Sequence, residues 1–309
     1  MIRNERIKTT MRRGLEIGKG MGLLLILAMI MPSAAAAAAN WPQVVLSRDN
    51  TPISYEVYGT GEPTLVFVHG WSCDSRYWRM QVDQFAKKYR VVVLDLAGHG
   101  HSGLTRECYC MRAFAEDVRA VTEAVGSKTV ILIGHSMGGE VVAHAARMMP
   151  ERVIGLIGVD TLENVEYPLN RQEADTMVAP MIDDFRGESR AFVATMFRPD
   201  ADPAVRQWVL DDMSSAPPAI ALDAMVSYLH EYVSGRIARV FDGINVPVVC
   251  VNGDLWPVNF EANRRHIRSF EAITVPNGDH FLMLDKPNAF NQALEQAIYA
   301  ILRKAAASE

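Results

Sequence analysis

Four cysteines in 309 residues, with no C-x-x-C pair and no Cys/His spacing of the zinc-site kind, leave no metal framework to read. No metal and no cofactor is expected. Basic excess is lacking too: 31 Lys+Arg stand against 36 Asp+Glu, a formal charge of −5, which argues against a nucleic-acid partner. No internal repeat is visible, and alanines 34–39 are the one low-complexity tract. A hydrophobic fraction of 49% with 22% charged residues excludes wholesale disorder. The apolar run nearest the N-terminus, Met21–Met31, has 11 residues, against the ~20 that span a bilayer.

That run belongs to a segment unlike the rest. Arg3, Arg6, Lys8, Arg12, Arg13 and Lys19 face only Glu5 and Glu16; the apolar run follows, then Pro32, Ser33 and six alanines. Basic region, apolar region, small-residue site is the order of a secretory signal peptide. Residues 1–39 are expected to be cleaved among Ala36–Ala39, with a periplasmic or secreted product and no stable membrane anchor after cleavage. Arg12-Arg13 leaves Sec and twin-arginine routes open. Without this segment 25 Lys+Arg and 34 Asp+Glu remain, a net charge of −9. Export permits disulfides. Cys108 and Cys110 stand too close to pair with each other, Cys250 reads as a buried thiol, and a bridge from Cys73 to Cys108 or Cys110 stays open.

After residue 40, short apolar runs alternate with helical patterns. Val44–Ser47 and Ile53–Tyr58 read as strands. So do Leu65–Val68, Val91–Leu94, Val130–Ile133, Ile154–Val159, Val246–Val251 and Ala272–Val275, several of them apolar throughout, as strands buried on both faces are. Helical spacing covers Trp78–Lys88, Met111–Val125, Met137–Met149, Phe260–Phe270 and Asn288–Leu302. Such alternation predicts a parallel sheet with helices on both faces. Residues 163–242 break it: helical pieces rich in Met, Phe and Ala with no strand signal, as in an inserted lid. The expected layout is core 40–162, lid 163–242 and core 243–309.

The chemistry sits at Gly134-His135-Ser136-Met137-Gly138-Gly139. Strand, tight turn and helix surround this G-x-S-x-G, the context in which a strained turn holds a serine hydroxyl out above the sheet, flanked by residues without side chains. Val66-Phe67-Val68-His69-Gly70-Trp71, Leu94-Asp95-Leu96-Ala97-Gly98-His99-Gly100-His101-Ser102 and Gly278-Asp279-His280-Phe281 complete four ordered motifs. Through them the chain resembles the α/β-hydrolase fold family over essentially all of residues 40–309. The resemblance implies a mostly parallel eight-stranded sheet flanked by helices, with a helical lid.

It also implies roles. Ser136 is the expected nucleophile and His280 the base that activates it; His69, His99, His101 and His135 are rivals for the base. The oxyanion hole would be the backbone N–H groups of Trp71 and Met137. His69, Gly70, His135 and Trp256 would shape the pocket. The acid that orients the histidine has two candidates. Asp254 follows a strand at the family's usual place and is preferred, although it comes two residues early and Trp256 fills the expected slot. Asp160, at the end of the preceding strand, is the alternative. Lid residues such as Met177, Phe185, Phe192, Met196, Trp208 and Tyr228 would wall an apolar pocket.

The expected function is an exported serine carboxylesterase acting on small to medium hydrophobic esters through an acyl-enzyme. Lactones, amides, C–C bonds or perhydrolysis use the same groups, and a ligand-sensing protein could use the same scaffold. Dehalogenase and epoxide hydrolase chemistry is disfavoured, because those relatives carry an aspartate where Ser136 stands.

Overall fold

The computed structural model describes residues 42–307, so the expected signal peptide lies outside the described residues. In chain order the elements are β1 (Gln43–Leu46), β2 (Pro52–Tyr58), β3 (Thr64–Val68), α1 (Arg79–Phe85), β4 (Arg90–Leu94), α2 (Met111–Val125), β5 (Val130–His135), α3 (Met137–Met148) and β6 (Val153–Val159). An all-helical insertion follows: α4 (Arg171–Asp183), α5 (Phe185–Ala194), α6 (Pro203–Met213), α7 (Pro218–Val233) and α8 (Arg236–Arg239). The chain then returns to β7 (Val248–Asn252), α9 (Phe260–His266), β8 (Phe270–Thr274), α10 (Leu282–Asp285) and α11 (Pro287–Ala306).

Eight strands form one sheet in the order β1-β2-β4-β3-β5-β6-β7-β8. Only the β1–β2 and β2–β4 pairings are antiparallel. Every residue of β3, β5 and β7 is buried, which is why these strands read as unbroken apolar runs rather than alternating ones. α2 and α3 pack together on one face, with α3 on β3, β5 and β6; α11 lies on β6, β7 and β8 and touches α1 on the other.

Several expected boundaries move, most clearly around α9. The helix expected over Phe260–Phe270 stops at His266, and Phe270 opens β8. Arg264, Arg265 and His266 fill the last turn of α9, where cations suit the carbonyl end of a helix. The cysteine bridge does not form: Cys73, Cys108, Cys110 and Cys250 are all free thiols. Cys73 is buried, and its thiol lies 3.3 Å from the Trp71 carbonyl.

The parallel strands end on a common edge. There β3 delivers His69-Gly70-Trp71, β5 delivers Ser136, β6 delivers Asp160, β7 delivers Gly253-Asp254, and the turn after β8 delivers His280. Crevices at the carboxyl edge of such sheets are where ligands bind.

Candidate active site

Ser136 sits between β5 and α3 with φ +53° and ψ −123°, a backbone state that costs a non-glycine residue of the order of 1–3 kcal/mol. Its neighbours make the turn feasible. A Cβ on Gly134 would come 2.2 Å from the Gly138 carbonyl oxygen, and one on Gly138 would come 2.6 Å from that of His69. The turn therefore closes only with hydrogen at both positions. Ser136 N–H donates to the Val159 carbonyl at 3.0 Å, tying the elbow to the end of β6.

The loop after β3 presses on the serine. A Cβ on Gly70 would lie 3.1 Å from Ser136 Cβ, so the backbone bearing the Trp71 N–H runs directly beside the nucleophile. Met137 is the first residue of α3, and such an N–H has no carbonyl partner in its own helix. The two residues expected to carry the oxyanion donors thus flank the serine, one next to it in the chain and one beside Gly70.

His69 and His135 hold this scaffold rather than act as bases. His69 is fully buried, with Nδ1 2.8 Å from the Gly70 carbonyl and Nε2 accepting from the Leu96 N–H at 3.0 Å. His135 Nε2 lies 2.9 Å from the His280 carbonyl, and its ring centroid is 4.7 Å from that of His280. Burial holds both imidazoles below their ordinary pKa. Of the other rivals, His99 is buried against the Ala97 carbonyl and pushed down to about 3, while His101 is exposed beside Asp95. Asp95 braces the loops below, accepting from the Ser75 and His101 N–H groups.

The acid position corrects the sequence-based preference. His280 Nδ1 is 2.7 Å from Asp160 Oδ2, and Asp160 Oδ1 accepts the Gly253 N–H at 2.8 Å. Asp254 points elsewhere. It accepts from the Asn277 N–H at 3.0 Å and from Arg198 at 3.0 Å, and its side chain is 38% exposed. The reason is geometric: Asp160 ends β6 next to the elbow, under the ring, whereas Asp254 ends one strand further out and faces the stem of the turn that carries His280. Asp160 has φ +43°, a second strained residue at the site. A Cβ on Gly253 would meet the Gly278 carbonyl oxygen at 2.4 Å; glycine there lets the histidine turn close over the Asp160 contact.

Burial pushes the His280 imidazole down to about 4 and the Asp160 carboxyl up to about 7. A third group, missed in the sequence, belongs to this cluster. Glu163 accepts from Asn252 Nδ2 at 3.2 Å; burial first, then the charge of Asp160, holds its carboxyl up at about 8. Burial and the Asp160 charge both favour the protonated form of Glu163. The signal was weak: a single glutamate three positions beyond a strand-end aspartate.

The helical insertion reaches the site at several points. Trp71 Nε1 donates to the Ala221 carbonyl of α7 at 2.7 Å, and its ring meets Phe185 and Phe192 edge-on. The His280 N–H donates to the Met196 carbonyl at 3.2 Å. Trp256 lies edge-on to His280, with centroids 5.6 Å apart. Beyond Trp256 opens a cleft of about 890 Å³ lined by Glu163, Met177, Tyr228 and Tyr232 among others; Ser136, His280 and Asp160 do not line it. Trp208, expected in the pocket wall, instead packs on Tyr77 under the Arg79 guanidinium.

A strained serine at a strand–helix elbow beside a buried His–Asp couple, on the carboxyl edge of a mostly parallel sheet, is the layout of a nucleophile-dependent hydrolase. Comparison with known proteins agrees. A family model described as alpha/beta hydrolase fold matches residues 63–216. The chain is 24% identical over 267 residues to the AB hydrolase superfamily protein YisY of Bacillus subtilis (strain 168), covering 82% of this chain and 97% of that one. It is 36% identical over 108 residues to the bifunctional esterase/perhydrolase DCH of Acinetobacter calcoaceticus, 34% of this chain and 39% of that one. The solved structure of a thermophilic esterase from Thermogutta terrifontis, 22% identical, aligns with a TM-score of 0.72 over 84% of this chain and 99% of that one. The chain belongs to the α/β-hydrolase fold family. Within it, the relatives support a hydrolase.

Proposed function

We propose that the protein is a serine carboxylesterase that cleaves small to medium hydrophobic esters through an acyl-enzyme. The observation that carries the reading is the His280–Asp160 contact of 2.7 Å beside a serine held at an elbow. An ionised Asp160 can only accept, so the ring proton sits on Nδ1 and Nε2 is the basic nitrogen. His280 Nε2 takes the Ser136 proton as Oγ attacks the ester carbonyl. The N–H groups of Trp71 and Met137 stabilise the oxyanion. The protonated His280 then gives its proton to the leaving alcohol. Water, activated by the same imidazole, releases the acid and restores Ser136.

Two further points support an apolar ester. DCH is named an esterase/perhydrolase, and Trp71, Phe185 and Phe192 form an aromatic corner next to the oxyanion loop. We read α4–α8 as a lid over that corner, and residues 1–39 as an export signal on the strength of their sequence order. Mass spectrometry of the exported protein, finding a start near Asn40, would test the latter.

Turnover of p-nitrophenyl esters from acetate to palmitate, abolished in Ser136→Ala, is the expected result. The chain-length optimum measures the pocket. Stoichiometric ester binding without turnover would overturn the reading in favour of a ligand-binding member of the family.

A further inference from the structure

Along the nucleophile helix lies a second cluster that the proposed chemistry does not use. Glu140 and His144 are i and i+4 on α3, so they share one face and rise together. Glu231 approaches from α7 of the insertion. One donor atom from each residue falls within 4.8 Å of the others.

Glu140 is the anomaly. It is 1% exposed, and neither carboxyl oxygen has a hydrogen-bond partner; His144 Nε2 has none either. Burying an unpartnered carboxyl is costly in either protonation state, and far more so when it is ionised. The nearest approach, His144 Nε2 to Glu140 Oε1, is 3.5 Å. That is too long for a His–carboxylate hydrogen bond, which spans 2.7 Å at His280–Asp160. It does match the ~3.3–3.6 Å edge between two ligands each about 2.0–2.2 Å from one tetrahedral ion.

Glu231 is already held by the Arg236 guanidinium through both oxygens. Each carboxylate oxygen has two lone pairs, so the arginine can remain as an outer partner that orients the ligand. Burial first, then the charges of Arg147, Arg112 and Arg236, disfavour protonation of His144 against the opposing charge of Glu231. A neutral imidazole is the form that binds a metal. With Glu140 and Glu231 ionised, the two carboxylates offset a divalent ion.

We propose that Glu140, His144 and Glu231 form a binding site for one divalent transition-metal ion, zinc by ligand type, with solvent completing the shell on the partly exposed His144 side. The ion clips α3, the helix that starts at Ser136, to α7 of the insertion. This inference is independent of the ester reading.

The test uses the whole protein, stripped with EDTA and titrated with Zn²⁺ by calorimetry, with zinc content and Tm measured in parallel. The expected result is one zinc per chain at a Kd of about micromolar or tighter. Tm should rise by roughly 5–10 °C when zinc is at a hundredfold excess over Kd. His144→Gln, a partly exposed position, should keep the metal-free Tm and lose at least ~100-fold in zinc affinity; Glu140→Gln should lose the zinc-dependent Tm rise. Absence of a zinc-dependent shift overturns the proposal. So does an unchanged affinity in His144→Gln, which would put the metal on other histidines, and so does equal stabilisation by Ca²⁺ or Mg²⁺, which would point to an all-oxygen site.

Discussion

His280 Nδ1 stands 2.7 Å from Asp160 Oδ2, and the aspartate that makes this contact holds a backbone φ of +43°. Strain and contact coincide at one residue, while Asp254, next in line along the sheet edge, makes neither. Asp160→Asn keeps the shape but offers an amide where the imidazole needs an acceptor. It should lower kcat by about 10⁴-fold. Asp254→Ala removes a brace on the Asn277 N–H and should cost less than about tenfold. Steady-state kinetics of the two variants separate the roles; a larger loss in Asp254→Ala would reverse the assignment.

The pH profile follows from the base. Burial draws His280 from 6.5 down to about 4 and pushes the Asp160 carboxyl up, and at 2.7 Å the two titrate as a pair. The acid limb of kcat/KM, which reports the free enzyme, is expected between those values. Activity should therefore persist below pH 6.5 and fall as His280 protonates. An acid limb at or above pH 7 would mean that the ring is not desolvated.

Glu163 makes a prediction about stability. Its folded pKa, about 8, lies above the ordinary 4.5. Between those values the folded state holds more protons than the unfolded one, so its contribution is full below pH 4.5 and is lost as pH rises through 8. Glu163→Gln removes that dependence and keeps an oxygen for Asn252 Nδ2. The Tm advantage of the variant over the natural protein should be small at pH 5 and grow towards pH 9, with activity at pH 7 nearly unchanged. A gap that shrinks with pH would contradict the proton assignment.

Trp71 couples the oxyanion loop to the insertion through its indole N–H, 2.7 Å from the Ala221 carbonyl. Trp71→Phe keeps an aromatic ring between Phe185 and Phe192 but removes the indole donor, leaving the Ala221 carbonyl to its partner within α7. A loss of about 0.5–1.5 kcal/mol in denaturant unfolding is expected, with the backbone donor at position 71 retained and kcat affected less than KM.

Much of this was legible in the sequence, for reasons particular residues make plain. Leu65–Val68 and Val130–Ile133 are buried on both faces, so their pattern carries the sheet directly. Gly134 and Gly138 announce the elbow because no other residue fits beside the Gly138 and His69 carbonyls. The acid was not legible. Asp160 and Asp254 both follow strands, and the choice depends on which strand end lies beneath the His280 ring, a relation of sheet order rather than of spacing. Glu163 and the Glu140–His144–Glu231 cluster share that character: each becomes visible only when β7 or α7 is brought alongside.

The Asp254 brace has one more consequence. Arg198 of the insertion and Asn277 of the histidine turn grip the same carboxylate, while Met196 holds the N–H of His280 itself. The stretch between α5 and α6 cannot swing outward without unfastening the turn that carries the base. An outward movement of that stretch would therefore loosen the base as well, leaving Ser136 without its proton acceptor. A chimera that replaces α4–α8 with the equivalent helices of a relative would keep this link between insertion and turn only with a cation at the Arg198 position.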